Sequence, residues 1–291
     1  MITKEMCFYS NGYRLSAALY LPDHYEEGQK LPCIIPNSGY MGLNAIYPSL
    51  YARALTARGY AAFGFDYRGF LDNEGPAGVC KLEEQVEDIR NAVVFVQTLP
   101  QVDAARIGLI GWGMAAALVM GAAAKEPAVR AAAGLNGRKW LQSVYSYADY
   151  VALEEAVAKE RIRFVTEGTR QFDQPFVYYP LDPATDTVVR DHLYKVDGYG
   201  QEISLEFGQS LLDFNAEDFI PKLKIPILIG HGKHNLLHPL SGAEEYYSLL
   251  TSPKEFYLID GRHNDFMFDN HPVFCNLICC LDQFFQSAFS D

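Results

Sequence analysis

The sequence predicts an α/β protein: a mostly parallel central sheet with helices on both faces and a helical segment inserted before the last strands. Three observations predict it. Short apolar runs of strand length recur at residues 31–36, 60–66, 107–110, 129–135, 225–230 and 254–259;. Segments of helical period lie between them, clearest over 82–99, where Val86, Ile89, Val93 and Val96 share one face. Strands alternating with helices in this way build parallel sheets covered on both sides. The rhythm then stops between Asn136 and about Lys222, and afterwards resumes.

Each element has its own signal. Residues 4–10 and 14–21 alternate in polarity around Asn11-Gly12, a hairpin turn pair;. Strand 31–36 leads into the loop Asn37-Ser38-Gly39-Tyr40-Met41-Gly42 and a helix near 46–58. Strand 60–66 ends in Asp66-Tyr67-Arg68-Gly69. After strand 107–110 come the corner Gly111-Trp112-Gly113 and a run of small residues, 115–124, that suits a helix packed close to a sheet. Residues 137–222 carry many aromatics, a helical piece at 149–163 and loops rich in Pro and Asp, and read as a cap over the strand ends. A helix near 243–250 and a closing helix at 271–289 flank the last strand. The expected division is a core of residues 1–136 and 223–291 and a cap insertion at 137–222.

Composition narrows the function. The chain of 291 residues is 49% hydrophobic and 21% charged, ordinary for a globular enzyme;. Its formal net charge of −12 argues against nucleic acid or an anionic membrane as partner;. No run of 18 apolar residues exists, and no apolar core follows Lys4 to make a signal peptide;. The six cysteines are spaced neither as a disulfide framework nor as a zinc site, so a reduced, cytoplasmic protein is expected;. No phosphate-binding glycine motif is present, and no cofactor is expected. The expected partner is a small-molecule substrate, and a homodimer is compatible with the sequence.

The strand, glycine corner and helix at 107–124 have the layout of the G-x-S-x-G nucleophile elbow, read here as Gly111-Trp112-Gly113-Met114-Ala115;. On this motif, with Asp66-x-Arg68-Gly69 and the histidine in Asp260-Gly261-Arg262-His263, the chain resembles the α/β-hydrolase superfamily. Within it the closest resemblance is to dienelactone-hydrolase-like enzymes and polyketide-transferase-type hydrolases. The resemblance covers nearly the whole chain and implies the α/β-hydrolase fold. It puts Gly113 at the nucleophile position, which is therefore vacant, and His263 at the histidine position. It puts Asn235, in His231-Gly232-Lys233-His234-Asn235-Leu236-Leu237-His238-Pro239, where the triad acid belongs. It also implies an oxyanion hole of the Tyr40 and Met114 backbone N–H groups, whereas Asp66 and Arg68 are mainly structural in relatives.

Ser38, Trp112, Trp140 and Tyr145 are the expected substrate contacts. The histidines at 231, 234 and 238 span a turn rather than one helix face, which argues against a metal site. An amide can orient an imidazole but cannot balance its charge, and in serine proteases that replacement costs on the order of 10⁴ in rate. The expectation is therefore an enzyme without acyl-enzyme chemistry: a cyclase, isomerase, lyase or decarboxylase acting on a small apolar carbonyl or polyketide-like compound through His263. A ligand-binding protein and a hydrolase whose His263 activates water are the alternatives.

Overall fold

A computed structural model describes residues 1–137 and 146–290. The main sheet has eight strands: β1 (Ile2–Ser10), β2 (Tyr13–Leu21), β3 (Leu31–Asn37), β4 (Ala61–Phe65), β5 (Val102–Trp112), β6 (Val129–Leu135), and two more late in the chain, Ile227–Gly232 and Lys254–Ile259. The first two form an antiparallel hairpin because Asn11 and Gly12 both take positive φ, 50° and 88°;. Strand β2 is also antiparallel to β4, and every later pairing is parallel. The parallel strands therefore present their carboxyl ends on one rim, where open α/β sheets bind ligands.

Three helices of the first half cover the sheet: α1 (Pro48–Thr56), α2 (Leu82–Val96) and α3 (Ala115–Ala123). All of α3 but its last residue is buried, and its small side chains let the sheet approach. A Cβ on Gly134 of β6 would lie 3.1 Å from Met120 Cε and 3.4 Å from Ala116 Cβ, so strand and helix nearly touch there. Among the described residues, the segment between β6 and the last two strands adds nothing to the main sheet. It contains α4 (Tyr147–Glu167), α5 (Pro183–Asp191), α6 (Phe207–Asp213) and a two-stranded ribbon, β7 (Phe172–Asp173) with β8 (Ile203–Ser204). Gly168 ends α4 in the left-handed conformation, φ 70°;. Asp182 starts α5 by accepting from the Ala184 and Thr185 N–H groups, with Pro183 in the first turn;. Strand β9 (Ile227–Gly232), α7 (Leu240–Leu249), edge strand β10 (Lys254–Ile259) and α8 (Pro272–Ala288) complete the chain. Among the described residues no helix is long and apolar enough to cross a membrane.

Asp66 and Arg68 serve the scaffold. Arg68 is buried and gives Asp88 one hydrogen bond from Nε (3.0 Å) and one from Nη2 (2.5 Å), while its backbone N–H reaches the second carboxylate oxygen at 3.2 Å. Asp66 accepts the Asn44 N–H at 2.7 Å and so closes the turn before α1. Burial raises the Asp66 carboxyl to about 6, against that hydrogen bond, and the nearby Glu5 pushes the same way. The folded state thus holds this proton more tightly than the unfolded chain, so the Asp66 contribution is full at low pH and declines as pH rises from about 4 through about 6;. Asp66→Asn keeps an acceptor without the charge. It is expected to flatten the urea-unfolding free energy over that window, read against the native protein at matched pH.

Candidate active site

The corner between β5 and α3 needs two glycines for different reasons. A Cβ on Gly111 would fall 2.1 Å from the Ala115 carbonyl oxygen, so only glycine lets the helix fold back so sharply;. Gly113 has φ 59°, and its N–H donates to the Leu135 carbonyl at 2.9 Å. A Cβ built there meets nothing closer than His263 Nε2 at 3.7 Å and Cε1 at 3.9 Å. Space for a side chain is open at Gly113; the left-handed backbone is what favours glycine.

His263 follows β10, which lies three strands from β5 across β6 and β9. Its loop must reach back over two strand ends, and Asn136 holds it there. Asn136 follows β6 with φ 48°, a conformation that asparagine tolerates better than most residues;. Its Nδ2 donates to the His263 carbonyl at 2.9 Å and to that of Arg262 at 3.3 Å. Its Oδ1 accepts the Gly232 N–H at 2.7 Å, and its own N–H donates to the Gly230 carbonyl at 2.8 Å. Trp112 Nε1 adds a bond to the His263 carbonyl at 3.3 Å. Nothing in the sequence marks Asn136 as a site residue except that an asparagine directly follows a strand.

His263 is 4% exposed, and burial lowers its imidazole to about 3; His231 nearby lowers it further, and Asp182 opposes both. The ring is therefore neutral at ordinary pH. A base so weak transfers protons poorly, whereas a neutral imidazole can donate a hydrogen bond to a carbonyl oxygen. Its Nδ1 is buried and has no hydrogen-bond partner among the described residues. The expected pairing of Asn235 with His263 does not occur. Asn235 Oδ1 instead accepts the His238 N–H at 3.0 Å, and its Nδ2 lies 3.4 Å from His231 Nε2. A short local turn within the loop after β9 takes up the Asn235 side-chain oxygen, which therefore does not orient His263.

Beside Gly113 lies a cleft. Ser38, Tyr40, Trp112, Met114 and His263 all line it, as the sequence suggests. Trp140 and Tyr145, the other two expected contacts, lie outside the described residues. Trp112 stacks on Tyr47 at 5.7 Å between ring centres and sits 5.3 Å from the His263 ring. The Tyr40 carbonyl is held by Gln85 Nε2 at 2.7 Å, its hydroxyl donates to the Pro175 carbonyl at 2.6 Å, and its ring stacks on Phe207 at 4.6 Å. The loop that would supply one oxyanion-hole donor is thus fixed from both sides. Tyr179 and His238 also line the cleft, and sequence reasoning did not place either there. Tyr179 sits in the inserted segment, 59 positions from the histidine it touches, so no local pattern could reveal the pair.

Comparison with known proteins fixes the ancestry. Residues 11–265 match the profile of the X-Pro dipeptidyl-peptidase (S15) family. The chain belongs to this S15 family of the α/β-hydrolase superfamily. An uncharacterized protein of Pseudomonas aeruginosa, PA2218, is 26% identical to this S15-family chain over 279 residues, covering 89% of it and 73% of the relative. A thiohydrolase, apmlB, of Arthrinium phaeospermum is 24% identical over 275 residues, with 87% and 88% covered. The solved structure of DcsB in complex with its substrate analogue superposes with a TM-score of 0.87 at 16% identity and full coverage of both chains. The expected α/β-hydrolase fold is the observed one. The matching profile is that of S15, and the fungal relatives, the thiohydrolase apmlB and the acyltransferase drtE of Aspergillus calidoustus, fit the polyketide-related branch of the superfamily that the motifs suggest.

Two measurements probe this geometry. In a heteronuclear NMR titration, His263 is expected to remain neutral from pH 8 down to about 4; protonation near 6.5 would show that its burial is not maintained;. The same lowering stabilises the fold above pH 6.5, and that share is lost as pH falls from there towards 3;. Asn136→Ala removes the loop clamp and places alanine in a left-handed conformation, and is expected to cost about 2–4 kcal/mol in urea unfolding. Asn136→Gly relieves the backbone strain alone and should recover about 1 kcal/mol of that loss.

Proposed function

We propose that this protein is a non-hydrolytic enzyme of small-molecule metabolism. Its substrate is a small, mostly apolar carbonyl compound of the acyl- or polyketide-derived kind. The substrate carbonyl sits beside Gly113 with its oxygen at the backbone N–H groups of Tyr40 and Met114, and no covalent adduct forms. The observation that carries this reading is the corner itself: room for a side chain, an imidazole nitrogen 3.7 Å from where its Cβ would stand, and no hydroxyl or thiol on it. A nucleophilic serine would also need a histidine able to take its proton. The buried His263, with no partner on Nδ1 among the described residues, suits that role poorly.

Charge that develops on the substrate oxygen is instead stabilised by hydrogen bonds set in place beforehand, commonly the largest catalytic effect in such sites. Cyclisation, isomerisation, elimination and decarboxylation all pass through such an oxygen and need no acyl-enzyme. Residues 137–222 act as the cap that keeps water from the cleft, with Phe176, Tyr179 and Tyr199 among its apolar contacts;. The thiohydrolase relative supports a carbonyl-directed site. The six free thiols suit a reducing, cytoplasmic setting;.

The test uses reagents rather than the natural substrate. p-Nitrophenyl esters and acyl thioesters should turn over no faster than in buffer, and a fluorophosphonate should leave the intact mass unchanged. The apolar ketone 4-phenylbutan-2-one should bind saturably by calorimetry. Gly113→Ser should raise ester turnover less than about tenfold, because the His263 imidazole stays without a carboxylate. A covalent adduct on any side chain of the cleft during turnover would falsify the proposal.

A further inference from the structure

A second set of proton-carrying groups faces the same cleft and owes nothing to the strand, corner and helix. His238 precedes Pro239 in the loop after β9 and is 1% exposed. Its Nδ1 lies 2.6 Å from the Asn136 carbonyl oxygen. A carbonyl oxygen only accepts, so Nδ1 carries the hydrogen of the neutral ring and Nε2 holds the lone pair. The partner of Nε2 is the hydroxyl of Tyr179, from the inserted segment, whose ring crosses the imidazole edge-to-face at 5.9 Å. The phenol therefore donates to His238. Tyr179 is itself 4% exposed, and its ring lies 6.0 Å from that of Tyr40. Across the same space the rings of His238 and His263 meet at 4.9 Å, nearly perpendicular.

Phenol and imidazole are costly groups to bury in an apolar cleft, and a phenylalanine–leucine pair would fill the volume without that cost. Their hydrogen-bonded chain, Tyr179 to His238 to the Asn136 carbonyl, runs into the residue that also clamps His263. Resting on the reading above, we propose that Tyr179 is the acid–base catalytic residue of this cleft, that His238 is the positioning residue that takes up its proton, and that the substrate is an apolar compound with an enolisable carbonyl. In the forward step the C–H bond next to the carbonyl breaks. Its hydrogen passes as a proton to the Tyr179 oxygen while the hydrogen of Tyr179 passes to His238 Nε2. The electron pair left on carbon becomes the enolate, whose oxygen charge rests on backbone N–H groups and neutral His263. The imidazolium is held through Nδ1 by the Asn136 carbonyl. Reversal of the relay returns the proton to another carbon, so proton and charge balance without a further reactant. This assignment gives the site a base with a defined proton path, from the Tyr179 hydroxyl to the His238 Nε2 lone pair, whereas His263 Nδ1 has no partner among the described residues;.

The experiment follows exchange of the α-hydrogens of 4-phenylbutan-2-one in D₂O by NMR. Native protein should exceed buffer. Tyr179→Phe, which removes one oxygen, should lower the protein-dependent rate by about 100-fold or more, with ketone affinity held within about threefold. His238→Gln should lower it comparably at unchanged affinity, and the double variant should be no worse than either single one, because the two act as a unit. Exchange retained in Tyr179→Phe would overturn the assignment. So would binding to native protein without exchange. Loss on His263→Gln alone would move the base to His263 and leave the proposed function standing. No binding of the ketone to native protein would overturn both. Where Tyr179→Phe loses affinity, His238→Gln at full affinity decides the matter.

Discussion

The arrangement of this molecule depends on Asn136. A parallel sheet delivers its functional side chains from separate strand ends, and here the two that matter start three strands apart. One asparagine in a left-handed conformation joins them: its side-chain amide holds the loop of His263, its side-chain oxygen and N–H grip the end of β9, and its carbonyl takes the ring of His238. All of its polar groups are engaged in a buried setting, where an unmatched one would be expensive. The corner at Gly113 fixes the other side through the bond to Leu135, the residue before Asn136. The cleft is thus a consequence of backbone geometry at two consecutive strand ends, and the chemistry is hung on it.

The electrostatics follow from the same enclosure. A histidine with a carboxylate beside it gains basicity, and one buried alone loses it. His263 belongs to the second kind, since the loop that would bring an acid closes on itself through Asn235 and the His238 N–H. It faces the corner at Gly113, and its burial holds the ring neutral. The neighbouring tyrosine–histidine contact has what His263 lacks: a tautomer set by a carbonyl acceptor and a hydroxyl that donates to the other ring nitrogen.

Much of the scaffold was legible because its signals are local. Asn11-Gly12 takes the positive φ pair that a tight hairpin needs, and the alanines of α3 announce a helix pressed on a sheet. Strand β5 begins earlier than its apolar run because Arg106 and Asp103 pair at 2.6 Å and let a polar start stay at the surface. Helix α5 has a clear start signal in Asp182-Pro183, but the surrounding aromatics follow no single period that would carry a helix across it. At the site, the corner, His263 and the Tyr40 loop could be read from motifs. The Asn235 contact, the clamp at Asn136 and the partner of His238 could not, since each depends on which distant loop arrives beside it.

Tyr179 reaches the cleft from a segment that, among the described residues, shares no strand pairing with the main sheet. That separation has an evolutionary corollary. A lineage could exchange the hydroxyl proposed to carry the chemistry through changes in this one segment while the main sheet stays untouched. Descendants of one ancestor could then diverge in the reaction they perform long before their cores differ.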